Sequence, residues 1–493
     1  MKKITGRLNV DNLIAFIQKL WVSIFVLALI LVGAFAVRLW KIDNPVLDWH
    51  SWRQADTASV SKVFLEDGID LLHPRYHDVS KIQTGTLNPE GLRMLEFPVF
   101  NAAHVVFFKT IGAFSFEAWG RMVSVISAVV TTALIFLIGR RTISPLGGIL
   151  SAFFYAFVPY NVYFTRVILP EPMATMFGVL SLWLFIKYVD DKKPVMVYLS
   201  AVSFAVASLI KPTTLFYIVP LAYLSYKTFG FWGSVKNKHL ALAADLALVP
   251  VFAWRIWVNQ FPRGIAHFLW AFNGDGIRFR PAFWRWIFGE RLGRLILGTW
   301  GLVPLSFGIL VSKGKLPYLM HWMLLGMFLY ISIFATANVR HDYYQTIVMP
   351  ALALTLGAGS AWMLTQKMFN RFVSYTLLGL SVFLMLGFGF FEVRGFYQVN
   401  NFEYKIAGET VDKLTEKDSL VIAPQNGSTA FLYQTNRWGW PVVDDDINTM
   451  IELGADYYVS INKEDRDTSL LKTQFETLEE GDQYIILDLG KPI

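Results

Sequence analysis

The 493-residue sequence contains no cysteine. Disulfides, thiolate nucleophiles and zinc–thiolate sites are therefore excluded, and nothing follows about compartment. Charge is also scarce: only 16% of residues are Asp, Glu, Lys or Arg, against 54% hydrophobic ones, with a mean hydropathy of +0.43. That balance excludes an ordinary soluble globular chain, in which about a quarter of residues are charged. There is no glycine-rich phosphate loop, no soluble repeat and no low-complexity tract.

What is there instead is long apolar runs. A hydrocarbon core of about 30 Å takes roughly 20 helical residues, and stretches such as 21–39, 121–138 and 373–391 meet that length. Charge is also unevenly placed. Past residue 400 there are 18 acidic and 8 basic residues, so the net +7 divides into −10 there and +17 before it. Basic residues spread over many loops exclude a nucleic-acid-binding face and read as cytoplasmic turns, some of them serving an anionic substrate.

The charge pattern predicts one topology with eleven spans. The N-terminal tail, with Lys2, Lys3, Arg7 and Lys19, is placed inside, and the first helix leads outward. A cleavable signal peptide is the competing reading, since Ala34-Phe35-Ala36 resembles a cleavage site, but the apolar region is long for one. Ten further spans are expected at 119–139, 147–164, 172–189, 194–210, 213–226, 240–258, 294–312, 317–336, 343–364 and 373–392. This arrangement puts Arg140-Arg141, Lys192-Lys193, Lys227 to Lys238, Lys313/Lys315 and Lys367/Arg371 inside. Residues 41–118 form a first outer loop, with a short helix at 59–72 and an interfacial or re-entrant helix at 97–111. Residues 259–294 form a second, whose tryptophans and arginines suit a helix at headgroup level. Residues 1–399 are thus a membrane domain and residues 400–493 a small outward-facing α/β domain. Its strands are expected at Ser419-Leu-Val-Ile-Ala, Asp456-Tyr-Tyr-Val-Ser and Gln483-Tyr-Ile-Ile-Leu-Asp-Leu.

Ionisable groups beside a membrane are candidates for function, because lipid penalises them. Leu47-Asp-Trp-His-Ser-Trp-Arg-Gln-Ala-Asp-Thr57 gathers Asp48, His50, Arg53 and Asp56. It offers a base and a phosphate-binding arginine; the structural alternative has Asp56 capping the next helix. Glu96 precedes the 97–111 segment, and Glu171 lies between Pro170 and Pro172, expected in a non-helical turn facing away from lipid. Arg166, Lys211, Arg340, His341 and Tyr344 also map outside, where cations ask for a reason such as an anionic ligand; snorkelling to headgroups is the alternative. His50 and His341 lie in separate loops without ligand spacing, so no metal site is expected.

The acidic first-loop helix, the Arg166-Val-Ile-Leu-Pro-Glu171 loop, the late Arg340-His-Asp-Tyr-Tyr344 loop and the soluble tail resemble bacterial glycosyltransferase family 39. That group includes protein O-mannosyltransferases and lipid A aminoarabinose transferases, which have the C-type (GT-C) membrane fold. The resemblance runs from about Asn44 to Gly359, and its most specific part is Trp52-Arg-Gln-Ala-Asp-Thr57 with Glu96-Phe-Pro98. Better-known members carry an Asp-Glu pair at the start of the first-loop helix; this chain does not. The resemblance implies transfer of a sugar from a polyprenyl-phosphate donor to a lipid, glycan or protein acceptor, on the outer face of the plasma membrane. A carboxylate base is implied, placed on Asp56 rather than Asp48, with Glu171 as the second choice and Glu96 as a further catalytic candidate. Arg53, His50, Arg166, Lys211, Arg340, His341 and Tyr344 would then bind substrate, without a cofactor. A transporter or flippase is the other reading, though inverted halves with broken mid-membrane helices are not evident. A non-catalytic scaffold would leave the charged first loop without a purpose.

Overall fold

A computed structural model describes residues 15–493 apart from Gln18, 312–315 and Pro317, and a helical segment falls on each of the eleven expected spans. The tail cations Lys2, Lys3 and Arg7 and the turn cations Lys313 and Lys315 lie outside the described residues. Among the described residues, six helices are long and apolar enough to cross a membrane unaided. The first of these is Leu20–Arg38 and the last Arg371–Tyr397. The other spans are shorter or broken. Pro159 starts a new helix after Pro145–Phe157, and Gly230, at φ +69°, interrupts Ile218–Lys236. The expected 294–312 span is a π-helical stretch, Trp286–Ile296, then a turn, then the nine-residue helix Leu302–Leu310.

Lipid tails are as apolar as leucine, so helices in a bilayer associate through close packing rather than hydrophobic burial. Leu302–Leu310 and Met349–Thr365 do so through glycines. A Cβ on Gly308 would lie 2.0 Å from the Thr355 carbonyl oxygen, and one on Gly359 would lie 1.9 Å from that of Pro304. The loops gather at two ends. Arg141 pairs with Asp190, Lys192 sits over Phe229, and Asn237 donates to Tyr188, which brings three of the basic turns together. The first outer loop, Glu171 and Lys211 meet elsewhere, joined by ion pairs.

The first-loop helix is Ser51–Glu66 rather than 59–72. It starts after His50, which takes the left-handed φ of +57°, and stops before Gly68 at φ +97°. It carries no apolar stripe because eleven of its residues, polar and apolar alike, are buried. Asp56 therefore lies inside the helix and is not its cap. The helix expected at 97–111 is present as Val99–Ile111. In place of one headgroup-level helix, the second loop has three short 3-10 turns and Pro281–Arg285, which runs on into the π stretch.

The C-terminal part is a five-stranded mixed sheet with helices. Its strands are β1 (Leu420–Ile422), β2 (Trp438–Trp440), β3 (Ala455–Ser460), β4 (Phe475–Glu480) and β5 (Ile485–Pro492), in the order β2-β1-β3-β5-β4. β1 runs parallel to β2 and β3, and β5 antiparallel to β3 and β4. The three expected strands are β1, β3 and β5. The sheet docks on the long loop 41–118: Gly439 donates to the His77 carbonyl at 2.9 Å, and Val79 donates to that of Gly439 at 3.0 Å. Gly439 is required there, since a Cβ would lie 1.8 Å from the Val421 oxygen.

Candidate active site

A cavity of about 530 Å³ opens where the long loops 41–118 and 259–294 and the ends of several spans meet. Trp52 and Arg53 reach it from the first turn of Ser51–Glu66. Glu96 comes from a bend at Leu95-Glu96, after which Phe97 N–H donates to the Leu209 carbonyl at 2.9 Å. Lys211 follows directly on Pro194–Ile210, its backbone extended because Pro212 comes next. Aromatic side chains, including Trp270, Phe272, Tyr343 and Tyr344, make much of the remaining wall.

Charge alternates at one side of this cavity. Arg53 Nη2 and Lys211 Nζ both donate to Glu96 Oε1, at 2.6 and 2.7 Å. Both bonds fall on Oε1, and the Glu96 side chain keeps 16% of its exposure. Lys211 Nζ also lies 2.7 Å from Oε1 of the fully buried Glu171. Burial would by itself raise the Glu96 carboxyl, but the Arg53 and Lys211 charges more than reverse this and hold it at about 2. Lys211 shows the mirror image: burial would lower it, and Glu171 and Glu96 push it above its ordinary range. Glu171 is the first residue of the helix Glu171–Asp191, not part of a non-helical turn. Its carboxylate thus sits at a helix N-terminus, where the macrodipole favours negative charge.

Asp56 lies behind this wall. Oδ2 accepts from Arg93 Nη2 at 2.7 Å, Oδ1 from Thr429 Oγ1 at 2.6 Å, and Gln83 Nε2 lies 3.4 Å from both. It is fully buried and is not among the residues lining the cavity; Arg93 and Gln83 are. His50 is turned to Asp342, with Nε2 2.5 Å from Oδ1, and Trp49 and Arg291 share that carboxylate. Arg166 is fully buried against Asp48 at 3.3 Å and the Lys41 carbonyl, away from the cavity. His341 packs on Trp52 and Trp270, and burial with the adjacent His50 lowers it to about 4, so it is neutral near pH 7. Arg340 is exposed, with its guanidinium 5.7 Å from the Trp270 ring centroid. Of the ten residues expected at the site, Arg53, Glu96, Lys211 and Tyr344 line the cavity. Glu171, His341 and Arg340 adjoin its wall, while Asp56, His50 and Arg166 are tied up behind it.

Five further residues, Thr429 through Asp56 and the others in the cavity wall, were not anticipated. Arg93 lies three residues before Glu96, a spacing that marks it in the sequence once Glu96 is suspected. Arg255 closes the last turn of Lys238–Val258. His267 in the second loop carries no pattern, and Gly427 with Thr429 comes from the far end of the chain. Among the described residues no group of three or more His, Asp and Glu side chains could hold a metal ion.

The architecture is that of the C-type membrane glycosyltransferases. The aminoarabinose transferase ArnT of Cupriavidus metallidurans, solved in the apo state, superimposes with a TM-score of 0.64 at 12% identity, covering 95% of this chain and 97% of that one. Its structure bound to undecaprenyl phosphate gives a TM-score of 0.58 at 14% identity with the same coverage. The oligosaccharyltransferase of Archaeoglobus fulgidus, solved with zinc and sulfate, gives 0.60 at 11% identity, covering 89% of this chain and 68% of that one. Within that fold, residues 98–257 match the family model of the dolichyl-phosphate-mannose-protein mannosyltransferases, so the resemblance to family 39 is borne out. No curated protein matches the chain in sequence.

Proposed function

We propose that this protein transfers a sugar from a polyprenyl-phosphate donor to an acceptor hydroxyl on the extracytoplasmic side of the plasma membrane. The observation that carries the reading is the pairing of Lys211 and Arg53 on one oxygen of Glu96, inside a cavity walled by aromatics at the ends of membrane helices. An apolar isoprenoid tail belongs in the bilayer, and its phosphate needs fixed cations where it leaves the lipid. Arg53, Arg93, Lys211 and Arg255 all line the cavity. Support for the donor class comes from ArnT, which was solved with undecaprenyl phosphate.

In the reaction, the acceptor oxygen attacks the anomeric carbon and the bond from that carbon to the phosphate oxygen breaks. The electron pair leaves with polyprenyl phosphate, and cations already in place stabilise that growing charge more than they stabilise the ground state. The acceptor proton goes to a carboxylate, for which Glu96 is the best placed. It lines the cavity and its two hydrogen bonds both fall on Oε1, whereas both Asp56 oxygens are taken and Asp56 is not in the cavity wall. A carboxyl held at about 2 is a weak base in the empty site. As Lys211 and Arg53 turn toward the donor phosphate, their hold on Glu96 relaxes and its basicity rises. A single displacement inverts the anomeric centre.

Protein reconstituted in liposomes with a panel of polyprenyl-phosphate sugars tests the proposal, with released polyprenyl phosphate as readout. Release dependent on an added acceptor is the expected result. Movement of lipid-linked sugar between leaflets without release would replace the transferase by a flippase.

A further inference from the structure

Lys211 stands between two carboxylates that are held unequally. It donates to Glu96 Oε1 at 2.7 Å and lies 2.7 Å from Glu171 Oε1. Glu96 also accepts from Arg53 Nη2 at 2.6 Å, and it stays partly exposed in the cavity wall. Glu171 has neither advantage. It is fully buried and lies outside the cavity wall, and neither of its oxygens has a hydrogen-bond partner among the described residues. Among those residues Lys211 is also its one ion-pair partner. Thr175 lies one turn further along the same helix face, yet its buried hydroxyl is unpartnered too and offers the carboxylate nothing.

The four groups balance in charge: Arg53 and Lys211 against Glu96 and Glu171. A donor phosphate adds negative charge, so it must draw a cation from one of the two carboxylates. Freed from Lys211, Glu96 still has Arg53 and its opening to the cavity. Glu171 would be left as an unpaired charge inside the protein, which is strongly unfavourable. An ammonium carries three N–H donors, enough to keep one anion while turning to another. We propose that Glu171 is a positioning residue: it keeps hold of Lys211 when a donor phosphate enters, so the phosphate takes over the contact with Glu96 and leaves that with Glu171 in place. On the transferase reading, on which this rests, the two carboxylates have separate duties. Glu96 is loosened by the arriving donor and takes the acceptor proton. Glu171 touches neither substrate and acts through Lys211.

Binding of undecaprenyl phosphate to the full chain in lipid nanodiscs tests this without turnover. Removing a negative charge near an anion would by itself tighten binding, so the sign is informative. Glu171→Gln should instead weaken it by about tenfold, because Lys211 is no longer held in place. Glu96→Gln should bind at least as tightly as wild type. In a Lys211→Met background, Glu171→Gln should cause no further loss. Melting temperature gives a second readout. Lys211→Met strands the buried Glu171 charge, so adding Glu171→Gln should raise its melting temperature. Unchanged or tighter binding in Glu171→Gln overturns the proposal, as does an equal loss with and without Lys211, or a double variant that melts below Lys211→Met. Binding that follows this pattern without sugar transfer would remove the transferase reading alone. Sugar transfer, with Glu171→Gln binding undecaprenyl phosphate as wild type does, would remove this one alone.

Discussion

Glu96 and Asp56 are both carboxylates beside arginines, but their oxygens are spent differently, and that separates two variants. Glu96→Gln keeps the shape and an oxygen that still accepts from Arg53 and Lys211 but loses the proton acceptor, so turnover should fall by about 10²–10⁴ with donor affinity no weaker than wild type, and with Glu96 partly exposed the melting temperature should fall less than in Asp56→Asn. Asp56→Asn strips Arg93 of its partner inside the protein. Breaking a buried pair costs about 3–5 kcal/mol, so this variant should melt markedly lower as well as turn over more slowly. A stable but inactive Asp56→Asn protein would return the base to Asp56. Lys211 has its own signature. Lys211→Met should weaken donor binding by about ten- to a hundredfold through loss of charge-assisted contacts. It should also move the acid limb of kcat/KM. A carboxyl with a lowered value stays ionised until pH falls through it, so the wild-type limb lies well below the ordinary Glu value of about 4.3. Removing one cation raises the Glu96 carboxyl, and the limb should shift upward.

The spans were legible because a bilayer demands about 20 apolar residues in a row, whatever the helix inside does. Their continuity was not legible: Pro159, Gly230 and the turn before Leu302 break helices without breaking the apolar run. The Ser51–Glu66 helix was misplaced for the opposite reason. It is buried on every side, partly by polar partners, so it shows no periodicity to read. Of the strands, β2 is Trp-Gly-Trp and β4 is rich in glutamate, and neither gives an apolar run. Helix packing carries a prediction of its own. Gly359→Val forces a side chain into the Pro304 carbonyl, and overpacking of this kind costs about 1–3 kcal/mol. Gly379, with nothing within 4 Å of its Cβ position, is the control. In the same detergent Gly359→Val should melt below wild type and Gly379→Val alongside it; equal melting of both variants would mean the two helices are free to separate.

Across the whole molecule, sidedness is open to a direct test, since any introduced cysteine is unique. A cysteine at Glu90 or Gln425 should react with an impermeant thiol reagent in intact cells, and one at Lys192 should not. Labelling of Lys192→Cys with silence at Gln425→Cys would invert the orientation. The cations and acids of the site could be suspected from the sequence because charge at a membrane border needs a reason. The link from Asp56 to Thr429 could not, because the two residues are 373 apart in the chain and neither carries a motif pointing to the other.

That separation bears on how the protein is made. The Ser51–Glu66 helix is synthesised well before Thr429, so the Asp56–Thr429 hydrogen bond waits for a residue 373 positions further on. During synthesis the membrane part is therefore a scaffold with an unfinished centre, and contacts so distant in sequence form late. A chain stopped before residue 400 should still insert, and should release no polyprenyl phosphate. On the transferase reading, competence then waits for the segment that carries Thr429 to fold against the Ser51–Glu66 helix.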